Sequence, residues 1–383
     1  MRIGLNATCF NDRPSGANQR FFSIYREVVR QNPEIEFLLY EAADYSAGRH
    51  FAGATNVIAR PTPLPSVGRL ERTLRGVPFW SPALRADGVE LFETFSLPLV
   101  VGAPCPVLLT IHDLRPIRQG EPLFARLAAR GVLRHGLANA RHVMAVSNTV
   151  KGEIVSLRAG TTVTTVYNGI DTSPFEHPAQ DVRSRWALPH EFLLSVGHIE
   201  RRKNFGLLVD AVAALRDQGL VRPLVIAGRD GGALEALQRQ IARQGLRDLI
   251  TIIADADDAA VRGLYALCRL VVMPSRYEGF GIPLLEAMAA HRPLVTSDIP
   301  VFRELTDGKG AYFPVDDPKA AAAAIERVWS DPVERARLVA YGAERVGRFD
   351  LDSPARRIGA IYRDLARASA IRSRAAVKEW KRS

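Results

Sequence analysis

PSRYEGFGIPLLEAMA, Pro274 to Ala289, is the stretch whose reading decides the rest of the chain. It follows an apolar run, RLVVM (Arg269 to Met273), that reads as the end of a buried strand. A polar, glycine-rich turn comes next, and a helix opens near Ile282 with Pro283 preset for its first turn. Glu278 lies in the turn and Glu286 one or two turns into the helix, while Gly279 and Gly281 let backbone approach a ligand that a Cβ would exclude. A helix N-terminus carries unpaired N–H groups and a partial positive charge, so this corner can hold a phosphate while its acids hold hydroxyls. A sugar nucleotide presents both. Two Glu eight positions apart and a glycine turn are each common, so the whole string carries the argument and the spacing alone does not.

Outward from this motif the second half of the chain alternates strictly. FLLSVG (Phe192 to Gly197) reads as a strand, and a helix follows from about Phe205 to Gln218, with Asn204 as its cap and Gly219 as its stop. PLVIAG, a helix from about Gly232 to Gln244, LITIIA and a helix near Ala259 to Ala266 lead to RLVVM. Beyond the motif come PLVTSDI, a short helix around Phe302 to Leu305, AYFPV, and helices near Lys319 to Trp329 and Val333 to Val346. Strands apolar throughout and joined by helices mean a parallel sheet covered on both faces. HIERRKN, between Gly197 and Phe205, sets Arg202 and Lys203 at a strand-to-helix junction, where a planar fork and a compact ammonium suit a diphosphate.

The first half has the same grammar. A strand from Arg2 to Ala7, a polar turn holding Gly16, a helix over FFSIYREVVRQN and a strand from Ile35 to Tyr40 make a βαβ unit, in which ligands sit at the carboxyl ends of the strands. Residues 60–86 are punctuated by prolines and carry Arg69, Arg72, Arg75 and Arg85. PVLLTI (Pro106 to Ile111) delivers His112 and Asp113 at its end, where an imidazole can hydrogen-bond a sugar hydroxyl. A strand from His142 to Val146, Ser147 as a helix cap, and a short strand from Thr164 to Asp171 complete this half. Periodicity then fades. The predicted organisation is an α/β protein of two doubly wound, Rossmann-like parallel-sheet domains facing across a cleft: residues 1–172, a linker over 173–190, residues 191–350, and C-terminal helices with a basic tail over 351–383.

Composition narrows the class. The chain has 383 residues, 47% apolar and 24% charged, enough for two cores. Cys9, Cys105 and Cys268 are far apart in apolar surroundings, which predicts buried thiols in a reducing compartment, hence the cytoplasm. Apolar stretches such as LPLVVGAPCPVLLTI are cut by prolines, so no membrane span is expected. The acidic pairs Asp257/Asp258 and Asp316/Asp317 read as turn and helix-start residues, and no His/Cys ligand spacing occurs, so neither metal nor cofactor is expected. Of the net charge of +10, seven lie after Pro354, where nine Arg or Lys meet only Asp364 and Glu379. That tail suits an anionic membrane surface. Its only aromatics, Tyr362 and Trp380, are too few for the interleaved pattern of a nucleic-acid-binding protein.

EGFGIPLLEA closely resembles the E(x7)E signature of the retaining GT-B glycosyltransferases of family 4. VGHIERRKN resembles the family's diphosphate-binding segment, although His198 stands where many relatives carry an arginine, and TIHDL, AVSNTV and VYNGID resemble further landmarks. The resemblance covers most of the chain and is strongest from Phe192 to about Val315. It implies that Glu286 accepts hydrogen bonds from the ribose hydroxyls and that backbone N–H groups of Phe280, Gly281 and Ile282 approach phosphate and sugar. It also implies that Glu278 touches the transferred sugar and that Lys203 and Arg202 stabilise the leaving diphosphate. Gly16 would lie against the donor phosphate and His112 beside the reacting sugar; a second glycine common in the family is Asn18 here. The expected activity is metal-independent, retaining transfer of a hexose from a GDP- or UDP-sugar to a saccharide or lipid-linked saccharide in bacterial surface polysaccharide synthesis, with mannose the first expectation. The expected location is cytoplasmic, peripheral on the inner face of the plasma membrane if the tail binds lipid. A sugar-nucleotide epimerase or hydrolase on the same frame is the alternative, separated by whether free sugar or a transferred sugar is made. Acceptor, linkage and oligomeric state are not readable.

Overall fold

The chain opens on β1 (Arg2–Asn6), buried along nearly its whole length, as a strand covered on both faces must be. The computed structural model describes every residue except 13–15, 96–98, 118–122, 180 and 381–383, and of residues 16, 17, 19, 116 and 369–380 only the backbone. After β1 come α1 (Gly16–Gln31), β2 (Glu36–Glu41), β3 (Val57–Pro61), α2 (Arg69–Ala86), β4 (Leu91–Phe95) and β5 (Val107–Ile111). Then follow α3 (Leu123–Asn139), β6 (His142–Ala145), α4 (Asn148–Leu157) and β7 (Val163–Thr165). Among the described residues these strands form one parallel sheet in the order β3-β2-β1-β4-β5-β6-β7.

The second half contains α5 (Val182–Arg185), β8 (Leu193–Val196), α6 (Phe205–Asp217), β9 (Leu224–Ala227), α7 (Leu234–Arg243) and β10 (Ile250–Ile253). It continues through α8 (Asp258–Leu267), β11 (Leu270–Met273), α9 (Ile282–Ala289), β12 (Leu294–Ser297), α10 (Pro300–Leu305) and β13 (Ala311–Phe313). Three helices end the chain: α11 (Pro318–Ser330), α12 (Pro332–Val346) and α13 (Asp352–Trp380). Its sheet, also parallel, runs β10-β9-β8-β11-β12-β13. In both sheets the strand order reverses beside the first strand, between β1 and β4 and between β8 and β11, and ligands of such sheets bind outside the strand ends at that reversal.

The chain divides into two units, Met1–Gly169 with Leu351–Ser383, and Ile170–Asp350. Residues 173–190 are not a free linker. They fold onto the second unit because Val182 and Leu188 are buried there, Val182 against Gly263 of α8. The long helix α13 returns to the first unit and seals its core with Ala355, Ile358, Ile361, Tyr362 and Leu365. Several local readings shift. The strand expected over Thr164 to Asp171 is only Val163–Thr165. The sequence reading missed β3 and β4; α2 forms despite Pro78 and Pro82 inside it. Asn204, expected to cap α6, sits at φ 56° and makes no side-chain cap; its amide donates instead to the carbonyls of Pro274 (3.2 Å) and Val315 (3.0 Å). Ser147 does cap α4, accepting from Val150 N at 3.1 Å, and Asp257 and Asp317 cap α8 and α11.

Candidate active site

Two strand ends flank the reversal point of the second unit, and the two stretches singled out in the sequence follow them. Residues 197–203 leave β8 and residues 274–281 leave β11. The loops are tied to each other, since Arg276 N donates to the Arg202 carbonyl at 2.9 Å. Gly197, at φ 147°, makes room for the Lys203 side chain, whose Cε would lie 2.9 Å from a Cβ at that position. Lys203 is therefore buried, with its stem laid along the backbone at the end of β8.

Glu278, Arg202 and Lys203 form one cluster. Lys203 Nζ stands 2.7 Å from Glu278 Oε1, which also accepts from Ser275 Oγ at 2.8 Å. Arg202 Nη1 donates to Glu278 Oε2 and, at 2.7 Å, to the Tyr277 carbonyl. Its Nε and Nη2 go to Glu200, at 3.1 and 2.5 Å. Burial by itself would raise the Glu278 carboxyl, but Lys203 and Arg202 outweigh it and hold the acid at about 2. Glu278 is thus an anion at neutral pH with both oxygens engaged. The geometry also divides the two cations: Arg202 spends its fork on protein oxygens, whereas Lys203 is a point charge with three donors, one of them directed at Glu278.

Glu286 projects from the second turn of α9, half-buried, and its Oε2 accepts from the Tyr265 hydroxyl at 3.0 Å. Burial and the Glu286 charge push the Tyr265 phenol well up, so it stays a donor. Gly279 and Phe280 are buried in the turn ahead of α9, and Ile282 is its first residue. Gly281, at φ 115°, is the last residue before the helix, and a Cβ there would lie 2.9 Å from the Phe302 ring. In the second unit, then, Arg202 and Lys203 both touch Glu278, and Gly279 to Glu286 continue directly from it.

The first unit holds the other two residues. Gly16 is the first residue of α1, which follows β1; residues 13–15 of the preceding turn lie outside the described residues. His112 follows β5, partly covered, with its Nε2 buried and meeting no hydrogen-bond partner among the described residues. Burial, aided by the positive charge of Arg20, lowers His112 to about 3, so the ring is neutral at pH 7. Sequence reasoning missed Gly197, Glu200, Tyr265 and Ser275. The glycine and Ser275 stand within or beside quoted motifs, but Tyr265 lies 21 residues before its partner and only the packing of α8 reveals it.

The glycosyl transferases group 1 family matches residues 178–345, and glycosyltransferase family 4 matches residues 14–174. An alpha-D-kanosaminyltransferase of Streptomyces kanamyceticus is 30% identical over 73% of this chain and 75% of its own length. The chain belongs to glycosyltransferase family 4. Another relative of this glycosyltransferase is the O-antigen chain mannosyltransferase RfbU of Salmonella typhimurium, 28% identical over 66% of this chain and 67% of its own. Among solved structures, Anabaena HepE in complex with UDP and glucose matches 95% of this chain and 100% of its own at 20% identity, with a TM-score of 0.76. The two parallel-sheet domains are those of the GT-B fold.

Proposed function

We propose that this glycosyltransferase is a retaining, metal-independent hexosyltransferase. It would move mannose from a nucleoside diphosphate sugar, GDP-mannose first among the candidates, to a saccharide or lipid-linked saccharide in bacterial surface polysaccharide synthesis. One observation carries the reading: a buried lysine and an anionic glutamate stand in contact at the strand reversal of the second unit, at the start of the E(x7)E helix. The mannose assignment draws on the relative that is an O-antigen chain mannosyltransferase.

In this reading Glu286, held by Tyr265, receives the ribose hydroxyls, and the backbone of Phe280 to Ile282 receives phosphate and sugar. Lys203 supplies the countercharge to the diphosphate as it leaves, the preorganised electrostatic stabilisation other sites obtain from a metal ion. Arg202 braces Glu278, which contacts the transferred sugar as an anion. A carboxylate with both oxygens held by an ammonium, a guanidinium and a hydroxyl is a poor nucleophile, which favours a same-face displacement over a covalent glycosyl intermediate. Gly16 offers close backbone approach and neutral His112 a hydrogen bond to the sugar.

The test is incubation of the full chain with radiolabelled GDP-mannose and a membrane lipid extract, with the product's anomeric configuration read by NMR. An α-linked mannosyl product, lost with Lys203→Ala and Glu278→Ala, is expected. A β-linked product overturns retention, and free mannose as the only product overturns transfer.

A further inference from the structure

α9 is apolar almost all round, and its one acid has to be steered. Leu284, Leu285, Ala287 and Met288 are buried, whereas Pro283 and Glu286, three residues apart and therefore on one stripe, are only half-buried. A glutamate on such a stripe has several rotamers open to it, and holding it in one of them costs conformational entropy. Tyr265 supplies the hold. It lies fully buried in α8, and its hydroxyl donates to Glu286 Oε2 at 3.0 Å and to the Pro283 carbonyl at 3.3 Å, one proton shared across the opening of α9. With one oxygen fixed, the plane of the carboxylate is fixed too.

The phenol is itself held in place. Its ring meets that of Phe175 edge to face, with centroids 6.1 Å apart. The helix that carries it is fastened at both ends. Asp257 accepts from Ala260 N at 2.7 Å where α8 begins. Where α8 finishes, Arg292, just past the end of α9, donates to the carbonyls of Ala266 (2.6 Å) and Cys268 (3.3 Å), which have no partner within the helix. α8 and α9 are thus tied twice, by Tyr265 at the start of α9 and by Arg292 beyond its end. The kind of donor matters as well. Lys203 and Arg202 set their own charges against that of Glu278, whereas a neutral phenol sets the direction of Glu286 and leaves its negative charge to attract hydroxyl protons.

We propose that Tyr265 is a positioning residue that fixes the Glu286 carboxylate in the orientation that accepts ribose hydroxyls, and so sets how strongly the site prefers a ribonucleotide over a nucleotide lacking those hydroxyls. This role rests on the reading of Glu286 as the ribose-binding acid. Without the phenol, the half-buried carboxylate turns toward water and must be ordered anew when the ribose arrives. The experiment is isothermal titration of the full chain with GDP, UDP and the 2′,3′-dideoxy form of each. Wild type should bind one of the two ribonucleotides at least about tenfold more tightly than its dideoxy form. Tyr265→Phe, which keeps the ring against Phe175, should cut that preference to about threefold or less, through weaker binding of the ribonucleotide while the dideoxy form changes little. Glu286→Gln should cut it as far, and adding Tyr265→Phe to Glu286→Gln should cut it no further, because the phenol acts only through the acid. No preference in wild type overturns the ribose reading of Glu286 and this role with it. The full preference kept by Tyr265→Phe, an equal weakening of both forms, or a further loss on top of Glu286→Gln overturns the positioning role alone.

Discussion

Glu278 concentrates the electrostatics of the second unit. Its carboxyl is held at about 2, below its ordinary 4.5, by Lys203 and Arg202. A depressed folded value stabilises the native state above the unfolded value, and that contribution disappears as pH falls through the folded one. The window therefore runs from about pH 4.5 down to about pH 2. Glu278→Gln leaves Lys203 without its counter-ion in a buried cluster, while Arg202 keeps Glu200, a change worth about 3–5 kcal/mol. Urea denaturation of both proteins should show a wide stability gap at pH 7 that closes below pH 4.5; a gap independent of pH would mean that Glu278 is not held ionised. The three members of this cluster were legible in the sequence as chemistry, but their mutual contact was not. Nothing in the spacing of Arg202, Lys203 and Glu278 says that the cations face the acid, because the parallel pairing of β8 with β11 creates that proximity.

At the scale of elements, the entry into α9 is the most constrained segment. Gly281 adopts φ 115°, and the Phe302 ring occupies the space where its Cβ would stand. Gly281→Ala should cost about 1–3 kcal/mol and shift the first turn of α9, and with it Glu286. Thermal melting with and without nucleoside diphosphate should show both a lower midpoint and a smaller ligand-induced rise; unchanged values would remove the glycine from the account. Strands of the second unit such as LVIA and LVVM were readable because they are uninterrupted apolar runs between helices with clear stops. β3 and β4 were not. VIARP carries an arginine and a proline at an edge strand, and LFETF places Glu93 in a strand that is buried throughout. Only the fold explains that acid. Tyr25, Tyr362 and Thr110 all donate to Glu93, from α1, α13 and β5.

That same network matters for the whole molecule, because Tyr362 carries the end of the chain back to its beginning. Glu93 is fully buried, and burial pushes its carboxyl up against the pull of its three hydroxyl donors and of Arg20. Arg20, also buried, donates to the Val166 carbonyl at 3.1 Å and to Asn168, close to where the chain leaves the first unit at Gly169. Both passages of the chain between units are thus fastened in the first unit by contacts to α1 or its neighbours. Tyr362→Phe removes one donor from a buried acid and should cost about 1–2 kcal/mol. Hydrogen exchange should then quicken in the first half of α13 and not in the second unit; uniform protection would contradict the seat proposed for this helix. A two-domain α/β plan was visible in the alternation of strands and helices. The assignment of residues 173–190 to the second unit was not, since a short helix held by Val182 and Leu188 gives too weak a periodicity to distinguish from a linker.

The central claim is that the second unit binds a nucleotide sugar through the cluster of Lys203 and Glu278 and through Glu286 on α9. Thermal melting of the full chain with GDP, UDP, ADP and their sugars tests it most directly, comparing wild type with Glu286→Gln. One nucleotide series should raise the wild-type midpoint by about 3 °C or more at saturation, and Glu286→Gln, with an unliganded midpoint close to wild type, should lose most of that rise. A variant that keeps the full ligand-induced rise would contradict the account.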